Sequence, residues 1–219
     1  MTGLLKDASK RSELLVRTAS GIAMIVIAVL ALWMGRWVFA LLLAAIGVLM
    51  AIEMKALVRN LHADIKVLSV AYILFPIGGM LALRHGPHGF WLALWTLAIV
   101  WATDICAYFT GRYFGGAKLA PSISPSKTWS GLAGGVVGAG IIGPIIASQT
   151  HLPLACYILG APLGLLAQGG DLYESWLKRK AGVKDSGNLI PGHGGVLDRL
   201  DGVVPVATFM GLLRVLGFL

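Results

Sequence analysis

Hydrophobic residues in this chain run on without alternation, in blocks long enough to cross a lipid bilayer. Seven such runs can be drawn, at roughly 14–33, 37–57, 65–84, 89–110, 129–149, 153–172 and 202–219. A stretch of about 18 or more apolar residues spans a hydrocarbon core as a helix. The runs are continuously apolar rather than alternating, which argues against membrane strands. The pattern predicts an all-α, polytopic membrane helical bundle of about seven transmembrane helices, organised as one integral-membrane domain over residues 1–219. The first run is followed almost at once by another span, so it reads as an uncleaved helix rather than a signal peptide.

Charge then orients the bundle. With the N-terminus in the cytoplasm, fifteen of the eighteen Lys and Arg residues fall on the inner side, leaving only Arg36, Arg84 and Arg214 outside. The inner set begins with Lys6, Lys10, Arg11 and Arg17 and ends with Lys184 and Arg199. This is the positive-inside pattern, and it accounts for the net charge of +8 without nucleic acid as a partner. Anionic lipid headgroups are the natural counter-surface. The two cysteines, Cys106 and Cys156, lie within spans as packing residues. Gly131, Gly135, Gly134 and Gly138 are spaced as small-xxx-small. That lets a neighbouring helix approach closely, within the subunit, the favoured reading, or across a homodimer.

Three polar clusters break the apolar pattern. Asp104 sits inside the fourth run, with Tyr108 four residues on, on the same helical face. A carboxylate there costs on the order of 2.5–3.5 kcal/mol, so it needs an ion-pair partner or a task in an aqueous pocket. Glu53 and Asp171 also sit in or at the ends of apolar runs. Gly111 and Gly116 have P-loop spacing, but Ala117 occupies the lysine position and a helix precedes, which excludes that motif. The second cluster, SISPSKTWSG, offers Ser124, Ser126, Thr128 and Lys127 just before a helix begins. It is either an anion site or an ordinary capped helix start.

The third cluster, Ser175–Asp201, concentrates Lys178, Arg179, Lys180, Lys184 and Arg199 with Asp185, Asp198 and Asp201. Asp171 and Ser175 share a helical face, Glu174 and Lys178 form an i,i+4 pair, and Asp198 and Asp201 lie three apart. Paired carboxylates suit a hard cation such as Mg²⁺ that bridges phosphates. A solvated loop of salt bridges is the alternative.

In its residue order this cluster resembles the signature of the phosphatidate cytidylyltransferases. The pattern S-x-x-K-R-x-x-x-x-K-D-x-x-x-x-(I/L)-P-G-H-G-G-x-x-D-R-x-D is filled from Ser175 through Ile190, Pro191, Gly192 and His193 to Asp201. The segment Asp104–Arg112, D-x-x-A-Y-F-x-G-R, resembles that family's upstream motif, and SPSKTWSG resembles its S-P-K-K-T-W-E-G. Arg17 and Glu53 are also family-like, whereas Ser126 and Ser130 stand where lysine and glutamate are usual. The chain is shorter than typical bacterial members, as though a helix pair of the N-terminal half were missing.

The resemblance implies transfer of a cytidylyl group from CTP to phosphatidate, giving CDP-diacylglycerol and pyrophosphate, in a bacterial-type inner membrane with the active site on the cytoplasmic face. It implies catalytic roles for Asp171, Lys178, Arg179, Lys184, Asp185, His193, Asp198, Arg199 and Asp201, and substrate contacts from Asp104, Tyr108, Ser124, Ser126, Lys127, Thr128 and Ser175. Asp171 and Asp198, with Asp201 completing or supporting them, would hold Mg²⁺, with a second cation such as K⁺ allowed. Another lipid phosphate as acceptor is the nearest alternative. A transporter or inactive scaffold is disfavoured, because transporters place charge near the midplane of broken helices.

Overall fold

The computed structural model describes residues 2–187, 189 and 194–219, with side chains from Thr18 onward. The expected roles of Ile190, Pro191, Gly192 and His193, and of the Lys6, Lys10, Arg11 and Arg17 side chains, lie outside the described residues.

The chain is mostly helical. In order it runs α1 (Thr2–Met34), α2 (Arg36–Leu57), α3 (Ala63–Arg84), α4 (Gly89–Phe114), β1 (Lys118–Ala120), β2 (Ser124–Thr128), α5 (Trp129–Thr150), α6 (Ala155–Ile158), α7 (Gly160–Lys180), α8 (Leu197–Leu200) and α9 (Val203–Val215). Four helices, α2, α3, α4 and α5, are long and apolar enough to cross a membrane, and apolar stretches Thr18–Met34 and Val203–Val215 are shorter. The protein is an integral membrane protein. Large apolar side chains such as Trp37, Leu41, Val67, Phe75 and Ile141 stand exposed on the outer helix faces, where only lipid offers them an apolar environment.

One departure from the expected all-helical plan is small but sits at the site. Between α4 and α5 the chain forms a two-stranded antiparallel ribbon, with Lys118 opposite Thr128 and Ala120 opposite Ser124. Its strands are short and polar, and Pro125 tolerates such a place because a two-stranded ribbon is all edge. The expected helix start follows it. Thr128 caps α5, its Oγ1 accepting from the Gly131 amide at 3.1 Å. Ser130 donates to the Gly115 carbonyl at 2.5 Å, fastening that start to the end of α4.

The core lies where α4, α5, α7 and α9 meet, around Trp95, Ile99, Leu163, Val206 and Met210, all essentially inaccessible. Trp95 buries its ring and donates its indole N–H to the Gly143 carbonyl at 2.9 Å, so no polar atom is stranded. The small-xxx-small stripe of α5 is spent on α4. A Cβ added at Gly135 would lie 2.9 Å from the Thr103 carbonyl, and one at Gly131 would lie 3.0 Å from the Ala107 carbonyl. Close backbone approach between these helices therefore requires glycine. That is the intrasubunit role expected from the spacing.

Candidate active site

A cavity of about 520 Å³ opens among α4, β2, α5, α7 and the α8–α9 junction. Its size falls in the range of pockets that take small-molecule ligands, roughly 300–1,000 Å³. All of these walls except α5 supply charged or polar groups. α4 contributes Asp104, Tyr108 and Arg112, β2 contributes Ser126, Lys127 and Thr128, α7 contributes Gln168 and Asp171, and the junction contributes Asp198, Arg199 and Asp201. Residues separated by nearly 100 positions in sequence thus converge on one space, bringing the three polar clusters together.

Helical spacing explains the local placement. Asp104, Tyr108 and Arg112 recur every four residues along α4 and form one stripe. The Arg112 guanidinium donates to the Tyr108 hydroxyl at 3.2 Å. Asp104 is exposed, but into this cavity. On α7, Gln168 and Asp171 lie three apart and face the same way.

The ribbon delivers Lys127 between them. Its Nζ stands 2.5 Å from Asp171 Oδ2 and donates to Gln168 Oε1 at 3.2 Å. Asp171 also accepts weakly from Ser175 Oγ at 3.4 Å. Arg179, exposed at the end of α7, donates to the carbonyls of Ile123 and Val183 at 3.2 and 3.0 Å. The first of those bonds pins the ribbon to α7.

Asp198 is held by four donors. Oδ1 accepts from Lys178 Nζ at 2.6 Å, and Oδ2 accepts from the Ser186 and Gly195 amides at 3.0 and 2.8 Å and from Ser186 Oγ at 2.9 Å. Burial pushes its pKa up, but the Lys178 bond, the Gly195 amide and the Lys178 charge outweigh that, and the net shift is downward. Asp201 is the opposite case. Burial first, then the charges of Asp171, Glu174 and Asp104, raise it well above the usual carboxylate range. Only the Gly202 amide, donating at 2.7 Å, pulls the other way.

Of the residues expected at the site, Asp104, Tyr108, Ser126, Lys127, Thr128, Asp171, Asp198, Arg199 and Asp201 line the cavity. Lys178 does not. It is 11% exposed and bridges Glu174 Oε2, at 3.0 Å, to Asp198. Ser124, Ser175 and Arg179 act one step back, in the ribbon or on α7, and Lys184 and Asp185 are exposed beyond the lining. Gln168 was missed. Its signal was present, as a lone amide inside an apolar run one turn before Asp171.

The donor set suits a hard divalent cation, since Asp171, Asp198 and Asp201 present only oxygen to one cavity. Among the described residues no group of three or more His, Cys, Asp or Glu side chains is gathered closely enough to hold a metal ion by itself.

Comparison with known proteins places the chain in a family. The profile of the "Cytidylyltransferase family" matches residues 62–216. A phosphatidate cytidylyltransferase of Rickettsia bellii (strain RML369-C) is 39% identical over 220 residues, covering 94% of this chain and 93% of that protein. One from Rickettsia conorii (strain ATCC VR-613 / Malish 7) is 34% identical over 221 residues, covering 97% and 95%. One from Brucella suis biovar 1 (strain 1330) is 51% identical over 128 residues, 58% of this chain. That alignment spans about half, 47%, of the longer Brucella protein. Matched across the ribbon, α7 and the α8–α9 junction that together build the cavity, the chain belongs to the cytidylyltransferase family.

Proposed function

We propose that this protein transfers a cytidylyl group from CTP to phosphatidate, releasing pyrophosphate and forming CDP-diacylglycerol. The observation that carries the proposal is the cavity itself, where Lys127, Arg112 and Arg199 alternate with Asp104, Asp171, Asp198 and Asp201 at one end of an apolar bundle. Alternating charge of this kind receives phosphates and a hard cation together. A cavity for an apolar or uncharged ligand would not assemble it.

In the reaction a phosphate oxygen of the lipid attacks the α-phosphorus of CTP, and the bond to the β-phosphate oxygen breaks in line. Both negative charge on the incoming oxygen and charge gathering on pyrophosphate must be offset, and positioning supplies most of the rate. Lys127, Arg112 and Arg199 are the cations that face the cavity and would neutralise phosphate oxygens. Mg²⁺, with or without a second cation such as K⁺, would be held by Asp171 and Asp198, with Asp201 beside them, and would supply Lewis-acid charge neutralisation. Lys178 contributes by holding Asp198 ionised and in place.

Further support for the membrane setting comes from the positive-inside distribution. It favours seven spans in one domain, a cytoplasmic N-terminus and a catalytic face on the cytoplasmic side of a bacterial inner membrane. CTP would then arrive from the cytosol, and phosphatidate sideways from the leaflet among other anionic lipids. A homodimer would have to use a face other than the α5 glycine stripe, which α4 already covers.

The test is direct. Purified protein in detergent with Mg²⁺, labelled CTP and phosphatidate is expected to yield a lipid-extractable cytidine product and one pyrophosphate per turnover. Absence of that product with every phosphatidate tried would sink the proposal.

A further inference from the structure

Glu53 is an acidic residue near the inner end of α2, only 4% exposed, and it does not line the catalytic cavity. Its carboxylate is nevertheless fully engaged. Oε1 accepts from the Val196 amide at 2.9 Å, Oε2 accepts from the Leu197 amide at 2.9 Å, and the Ser186 hydroxyl stands 3.3 Å from Oε2. All three partners lie more than 130 positions away in sequence. They stand at the two ends of the glycine-rich stretch 187–195, with Val196 and Leu197 leading directly into Asp198, Arg199 and Asp201.

The neighbouring glycines are shaped around this side chain. A Cβ at Gly187 would meet Glu53 atoms, with Oε1 at 2.8 Å, Cδ at 3.1 Å and Cγ at 3.2 Å. A Cβ at Gly195 would lie 2.6 Å from Oε2. Beneath the carboxylate, Met50, Met54 and Leu57 of α2 pack in one apolar cluster with Leu177, Val196 and Leu197. The Ser186 hydroxyl, between Glu53 and Asp198, links the two carboxylates.

We infer that Glu53 is a positioning residue: it fixes the backbone at 186–187 and 195–197, and through it the orientation of Asp198, Arg199 and Asp201 toward the cavity. A buried carboxylate is costly unless donors satisfy it, and here its donors are backbone amides of the loop itself. The chain therefore uses the cost of burying one charge to hold the catalytic segment against α2. Notably, residue 53 precedes the segment 62–216 matched by the family profile. The kinetic consequences rest on the proposed cytidylyl transfer, but the structural ones do not.

The experiment pairs Glu53→Gln and Glu53→Ala with Gly187→Ala, using full-length protein in detergent. Glutamine keeps one acceptor and turns an N–H₂ toward the second amide, so the order of effect is Glu, then Gln, then Ala. Losing charge-assisted bonds of this type changes local opening by about ten- to a hundredfold. Hydrogen exchange at the 195–197 amides is expected to quicken by that factor in Glu53→Ala and by less in Glu53→Gln. At saturating substrates kcat should fall in the same order with the KM for phosphatidate unchanged, because the lost property is alignment.

Gly187→Ala supplies the control for misfolding. It should slow turnover in the natural background and much less in Glu53→Ala, where the obstructing side chain is gone. Unchanged exchange in Glu53→Ala overturns the inference, as does a Gly187→Ala effect of equal size in both backgrounds. A global loss of stability with kcat per folded molecule intact overturns it too. If the natural protein shows no cytidylyl transfer, the exchange measurements still decide the clamp, so the two readings fail separately.

Discussion

Replacing Lys178 by methionine tests whether this lysine grips a substrate phosphate or braces the fold. Its amine lies 3.0 Å from Glu174 Oε2 and 2.6 Å from Asp198 Oδ1, with the lysine side chain 11% exposed and Glu174 completely buried. The other Glu174 oxygen, Oε1, has no hydrogen-bond partner among the described residues. Removing the amine leaves a buried carboxylate without any donor, a loss of about 3–5 kcal/mol for breaking one side of a buried pair. Asp198 suffers less, because Ser186 and Gly195 still donate to it. In Lys178→Met/Glu174→Leu the stranded carboxylate is gone, and the remaining loss is one charge-assisted bond at Asp198, about 1.5–3 kcal/mol. The double variant should therefore be more stable than the single one by about 1.5–2 kcal/mol, the difference of those two ranges. Denaturant titration in mixed micelles, read by tryptophan fluorescence, measures all three proteins. A Lys178→Met shift below about 0.5 kcal/mol, the size of an ordinary surface substitution, or a double variant less stable than the single, refutes the reasoning. Turnover separates the two roles further: for a brace, activity falls in step with stability in both variants, whereas for a phosphate ligand it falls well beyond it.

Three other outcomes follow from the same geometry. Because the Asp198 pKa is depressed on folding, its stabilisation is complete above the unfolded value of about 3.9 and disappears as pH falls through the folded value. Exchange at the Ser186 and Gly195 amides should therefore stay slow at neutral pH and quicken at the acid end, and Asp198→Asn should erase that acid limb. Asp171→Asn should abolish turnover yet bind CTP more tightly without divalent cation, by about fivefold if the Lys127–Asp171 pair is worth about 1 kcal/mol; calorimetry showing unchanged or weaker binding counts against it. Gly135→Leu should lower the unfolding midpoint, by an overpacking cost of about 1–3 kcal/mol or more, since its side chain would meet the Thr103 carbonyl and the Ala107 methyl.

Much of the fold was legible because membrane helices and membrane charges are both conspicuous in sequence. The apolar runs marked out α2 through α5 within a few residues, since a span needs length and hydrophobicity and little else. Asp104 and Asp171 announced themselves by standing in apolar surroundings, and the structure brings both to one cavity. The ribbon at Lys118–Thr128 was not legible. Its strands of three and five residues carry no alternating apolar face, and their order comes from α7, through Arg179 and the Ile123 carbonyl. The surroundings of Lys178 were hidden for a related reason. Sequence shows a lysine in a charged loop, but only the fold shows two buried carboxylates closing around it. The i,i+4 pairing with Glu174 was visible, while the partner twenty positions on was not.

A site of this kind faces a contradictory demand. It must hold strong charges beside an apolar bundle before substrate arrives, and present those charges when it does. Four carboxylates facing one cavity without internal compensation would repel one another, and the raised Asp201 shows that some repulsion remains. The chain resolves this by dividing its ion pairs into two kinds. Lys178–Asp198 is buried, with side chains 11% and 8% exposed, and its carboxylate is held by three further donors, so it fixes the backbone beside the cavity. Lys127–Asp171 is more open, at 15% and 30%, and its lysine rides on a ribbon rather than a helix. Under the proposed function that pair costs little to separate when a phosphate comes for the lysine and a cation for the carboxylate. Exposure thus separates two chemically identical pairs: Lys178–Asp198 fixes the backbone at the cavity, and under the proposed function Lys127–Asp171 is the pair that opens.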